Sequence, residues 1–82
     1  MTETADVRTT VAAFVTRLAG RPVEDDEPII SSRLLESIAV VQLVEFLERA
    51  LDITVDDDDL EIGNFDSVSA IVTLAEAKRA VR

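Results

Sequence analysis

The chain has 82 residues, 48% of them hydrophobic, which is too apolar for disorder and too short for more than one small domain. Eight basic against seventeen acidic side chains give a formal charge of −9, which argues against phosphate backbones and anionic lipid surfaces as partners. Cysteine and histidine are both absent, so disulfides, thiolate chemistry, zinc sites of the usual ligand type and histidine acid–base catalysis are excluded for this chain.

The opening residues, Met1-Thr2-Glu3-Thr4-Ala5-Asp6, have neither the basic nor the apolar stretch of a secretory signal. No apolar run approaches the roughly 20 residues of a membrane span, so a cytoplasmic protein without a membrane partner is expected. At 100° per residue, Val7, Val11, Phe14, Val15 and Leu18 fall on one narrow stripe. They predict a first helix from about Thr4 to Ala19, stopped by Gly20 and Pro22. From Arg21 to Glu36 no period persists. Two prolines and the run Glu24-Asp25-Asp26-Glu27 read as a long loop, pinned to the core by Ile29-Ile30 and Leu34-Leu35. A structured loop of this length is uncommon and often functional.

A second helix is predicted from Ser37 to about Leu51, with Val40, Leu43, Val44, Leu47 and Leu51 on its core face. Gln42, Glu45, Glu48 and Arg49 take the other side, where Ile38 and Val41 are apolar misfits. They are either stray residues on a solvated face or a patch that a partner covers. Asp52 to Gly63 reads as a second linker, with one short helical turn among Leu60, Ile62 and Phe65 behind the acids Asp56 to Asp59. Ser67 is a candidate N-cap for a last helix that buries Val68, Ile71, Val72 and Ala75. Lys78, Arg79 and Arg82 suit its C-terminal end. The result is an all-α domain spanning residues 1–82, an antiparallel bundle of three main helices and one short one. Phe14, Val44, Leu47, Ile71 and Val72 are expected to form its shared core.

The aspartate run does not read as a calcium loop. An EF-hand needs glycine at its sixth position and an acid at its twelfth, and neither a start at Asp52 nor one at Asp56 supplies both. Gly20 and Gly63 stand isolated, so no phosphate-cradling loop exists. Lys78 is the only lysine, and without histidine or cysteine no nucleophilic triad can be assembled. A self-sufficient enzyme is not expected. Ser37 is the residue in an unusual setting, where the long loop meets a helix, within Leu35-Glu36-Ser37-Ile38. It is either an ordinary N-cap or a hydroxyl that another enzyme modifies, since a helix start favours an attached anion.

The stretch Leu35-Glu36-Ser37-Ile38-Ala39-Val40-Val41-Gln42-Leu43-Val44-Glu45-Phe46-Leu47-Glu48 resembles the acyl carrier protein signature, in which Asp-Ser-Leu opens the second helix and the serine carries phosphopantetheine. The likeness continues through Leu51 to Val55, Asp58 to Leu60 and Asn64-Phe65-Asp66-Ser67-Val68-Ser69-Ala70-Ile71. The last block is most similar to small freestanding carriers of polyketide, aminoacyl or nonribosomal peptide pathways. Glu36 and Ile38 replace the usual aspartate and leucine, and Arg33 stands where related carriers often have glycine, which predicts a different backbone shape for the turn before the motif.

The resemblance implies a carrier that holds acyl or aminoacyl intermediates as thioesters on a phosphopantetheine arm attached to Ser37. It also implies that partner enzymes do the chemistry: a phosphopantetheinyl transferase, an acyl- or aminoacyl-loading enzyme, and downstream synthase or tailoring enzymes. Glu36 and Ile38 would serve recognition by the transferase, with Val41, Gln42 and Glu45 beside them on the partner face of a monomer. Between Glu24 and Glu61, thirteen acids against two bases leave a net −11, which would speed encounter with basic partners. The alternative is an unmodified acidic helical module for protein interaction that uses the same Ile38–Val41 patch.

Overall fold

In a computed structural model, which describes residues 3–81 and the side chains of residues 7–79, Val7, Val11 and Val15 form a buried spine along helix α1 (Glu3–Ala19). Their spacing of four keeps them on one side of the helix. Gly20 ends α1 with φ +79°, a left-handed cap whose amide donates to the Thr16 carbonyl at 2.9 Å. Phe14 and Leu18 diverge from the spine toward the second helix and are only half-buried. Phe14 stacks on Phe46 with centroids 4.0 Å apart and planes 3° from parallel.

Helix α2 (Ser37–Leu51) has the predicted bounds, buries Leu43 and Leu47, and ends at Asp52 with φ 55°. Phe14 and Val44 correct the expected core: both pack on its margin, because the apolar stripes of α1 and α2 are wider than the contact between them. The polar side of α2 also holds a surprise. Glu48 folds back and accepts the Val55 amide at 2.9 Å, which ties the following linker to the helix.

That linker holds two short turns instead of one, a 3-10 turn over Asp57–Asp59 and helix α3 (Ile62–Phe65). The Asp56 amide donates to the Asp59 carboxylate at 2.9 Å, so the acidic run closes on itself. Helix α4 (Val68–Val81) follows, capped by Ser67, whose hydroxyl oxygen accepts the Ala70 amide at 3.0 Å. Val68, Ile71, Val72 and Ala75 are all buried, as the pattern predicts. Lys78 does more than suit the helix end, since it reaches Asp59 at 2.7 Å and Asp56 at 3.0 Å. Arg82 lies outside the described residues.

α4 packs on α1, α3 and α2, so it is the hub of an all-helical bundle with no strand among the described residues. The buried set of α1, α2 and α4 meets there, each full-sized aliphatic contributing about 1.5–3 kcal/mol by leaving water. A radius of gyration of 11.6 Å matches the roughly 11.7 Å of a fully compact chain this long, so the long loop lies against the bundle. Ile29 and Leu35 anchor it in the core, and the Leu35 amide donates to the Ile29 carbonyl at 2.7 Å. The Asp25 carbonyl, in turn, accepts the Ser69 amide of α4 at 2.9 Å.

Candidate functional site

The start of α2 is positioned from both sides. Leu35, two residues before Ser37, is buried, and Leu43 and Leu47 fix the helix behind it. Between these anchors Glu36 is the N-cap, with extended backbone (φ −100°, ψ 176°), and its carbonyl accepts the Val40 amide at 3.0 Å. Ser37 is therefore the first helical residue and not the cap, which removes the capping reading of this serine. Its side chain is exposed and makes no hydrogen bond among the described residues. A hydroxyl at this point has no structural task.

A cavity of about 430 Å3 opens beside it, lined by Ile30, Arg33, Leu35, Glu36, Ser37 and Val40. Ile30 and Val40 also line a second, wholly apolar cleft of about 130 Å3 that continues to Leu60, Ile62 and Phe65. Leu60 and Ile62 are exposed there at 52% and 61%. On the outer face of α2, Ile38 is 76% and Val41 57% exposed, as the helical wheel predicts. Glu36, Gln42 and Glu45 are exposed as well. The structure does not gather all these residues at one point, however. Glu36 and Ser37 share the first cavity, whereas Gln42 and Glu45 face a groove on the α1 side with Phe14, Arg17, Phe46 and Arg49.

Two further residues shape the site, and the part played by the first is invisible in the pattern of the sequence. The first is Asp66, which holds the loop leading to Ser37. One of its carboxylate oxygens accepts the amides of Ile30 and Ser31, both at 2.8 Å, and the other accepts the Ser31 hydroxyl at 2.8 Å. Its carbonyl takes the Ile29 amide at 2.8 Å. The Ser31 amide above all, with the Ser31 hydroxyl and the Ile30 amide, holds the Asp66 carboxyl below the usual carboxylate range against an opposing effect of burial. An aspartate just before a helix reads as a local cap, so its reach across 36 positions had no sequence signal.

The second is Arg33, which adopts φ 66° in a turn closed by its own amide on the Ile30 carbonyl at 2.9 Å. This left-handed backbone is the one a glycine enters freely and other residues enter at about 1 kcal/mol or more. The turn thus has a backbone that suits glycine, with a cationic side chain on it.

Elsewhere, Lys78 and the Asp56 amide hold the Asp59 carboxyl low, Arg21 does the same for Glu27, and Lys78 itself is pushed up by its two aspartates. Lys78 ties the second linker to α4, whereas the Arg21–Glu27 pair lies within the long loop. No helix among the described residues is long and apolar enough to cross a membrane. No protein-family model matches the chain, and no curated protein is significantly similar to it.

Proposed function

We propose that the chain is a discrete carrier protein whose Ser37 hydroxyl accepts phosphopantetheine from coenzyme A. The observation that carries this reading is the idle, exposed hydroxyl on the first residue of α2, beside a cavity roomy enough to receive the base of an arm. The residues present fit the group: a free alcohol, a guanidinium, and an apolar cleft leading away. Attachment forms a bond from Ser37 Oγ to the pantetheine-bearing phosphorus of coenzyme A and breaks that phosphorus's bond to the bridging oxygen. Adenosine 3′,5′-bisphosphate leaves, and the hydroxyl proton passes to a base of the transferase. When bound, the arm supplies the thiol that holds acyl or aminoacyl groups as thioesters, the sulfur nucleophile this cysteine-free chain lacks.

The chain's own residues do the presenting. α2 and the Asp66-held loop fix Ser37, while Ile38 and Val41 offer a small apolar contact and Glu36, Gln42 and Glu45 offer polar ones. The surrounding acidity steers basic partners, and the small contact keeps residence short. Loading, synthase or tailoring enzymes of polyketide or nonribosomal peptide type are the partners in this reading, with the chemistry on their side.

The test is incubation of the full chain with coenzyme A and a promiscuous phosphopantetheinyl transferase, followed by intact mass. Wild type is expected to gain one phosphopantetheine, and Ser37→Ala none. No gain with several transferases, or a gain that survives Ser37→Ala, rejects the carrier reading in favour of an unmodified acidic interaction module.

A further inference from the structure

We infer that Arg33 is a phosphate-holding residue, its guanidinium pairing with the phosphodiester on Ser37 and so fixing the root of the arm. The inference rests on the carrier reading and adds to it a specific cation at the attachment point. Three observations converge on this residue. Arg33 and Ser37 line the same cavity. Arg33 forms no ion pair among the described residues, although the stretch around it carries a net −11. Finally, the chain keeps this long cationic side chain on a left-handed backbone that glycine would occupy without strain.

Electrostatics makes the need plain. A phosphodiester on Ser37 adds one more negative charge directly beside Glu36, which lines the same cavity. The only other base between Glu24 and Glu61 is Arg49, about 18 Å farther along α2, beyond the Debye length at ordinary ionic strength. Arg33 is the cation of that stretch positioned to offset the new charge. A guanidinium also suits the task by geometry, since its paired N–H groups match two phosphate oxygens at once.

Phosphorus NMR of the modified protein tests this directly. Wild type, Arg33→Lys, Arg33→Gln and Arg33→Gly are each converted to completion and checked by mass. The glutamine variant removes charge while keeping a side chain on the strained backbone, and the glycine variant removes both. The expected result is a phosphorus resonance that broadens through contact with the folded body in wild type, with a shift that moves as salt is raised toward 1 M. Arg33→Gln and Arg33→Gly narrow the line and abolish the salt response, and Arg33→Lys falls between. The melting temperature of Arg33→Gly is expected to equal or exceed that of wild type, because strain is relieved. Identical spectra in all four proteins overturn the role of Arg33 while leaving the carrier reading intact. A narrowed line accompanied by a lower melting temperature in Arg33→Gly overturns it too, as it would mark a structural role. If wild type accepts no arm at all, both readings fall together.

Discussion

Replacing Asp66 with alanine withdraws an acceptor shared by three donors, the Ile30 amide, the Ser31 amide and the Ser31 hydroxyl, each at 2.8 Å. Hydrogen bonds to a charged group are worth about 1.5–3 kcal/mol when buried. Ser31 is exposed, so water replaces its two bonds at little cost, and the half-buried Ile30 amide bears most of the loss. Asp66→Ala is therefore expected to cost about 2 kcal/mol, a large fraction of the roughly 4–12 kcal/mol available to a domain of this length. The corresponding fall in Tm is about 8–16 °C. Asp66→Asn keeps one acceptor oxygen and should cost about 1 kcal/mol. Urea unfolding followed by circular dichroism reads both, with an unchanged m-value.

The pH dependence supplies the sign. Because the folded state holds this carboxyl below its ordinary value, its stabilisation is complete above a pH of about 4 and is lost as pH falls through the folded value. Wild type and Asp66→Asn should thus converge in acid. A loss under about 0.5 kcal/mol for Asp66→Ala, or a gap between wild type and Asp66→Asn that ignores pH, would refute the idea that this side chain holds the loop.

Two further substitutions test other parts of the fold. Leu47→Ala, at a position with no solvent exposure, should cost about 2–5 kcal/mol in the same urea assay, and a loss below about 1 kcal/mol would place Leu47 outside the central packing. Val41→Asp, at a position 57% exposed, should change stability by no more than about 0.5 kcal/mol; under the proposed carrier function it should also slow acyl transfer to partner enzymes in a reconstituted assay, and unimpaired transfer would take Val41 off the proposed docking face.

Much of the architecture was legible because helices advertise themselves by period. Ser37 to Leu51 and the buried face of Val68, Ile71, Val72 and Ala75 follow from spacing alone. So does the exposure of Ile38 and Val41, since a wheel assigns faces whatever lies opposite. A wheel does not say where a wide apolar stripe stops touching its neighbour, and Phe14 and Val44 were therefore placed too deep. Ser37 was legible as a residue at a helix start, but its freedom from capping depended on which residue took the extended backbone, and that was Glu36. Side-chain bonds to backbone outside a residue's own element leave no periodic trace, which hid the long reach of Asp66 and the short return of Glu48 to Val55. The left-handed turn at Arg33 was hidden for a different reason: glycine and asparagine announce such a conformation, and arginine does not.

The bond between the Leu35 amide and the Ile29 carbonyl makes a lasso of the five intervening residues, with both feet planted in the core. Its circumference is set from within, because the Arg33 amide closes a turn on the Ile30 carbonyl and the Ser32 hydroxyl bridges Pro28 and Leu34. Extra residues spliced between Ser32 and Arg33 would break that turn and carry Arg33 away from the cavity it lines. Evolution, or a protein engineer, would have to rewrite the rim of the cavity by exchanging side chains and not by adding length.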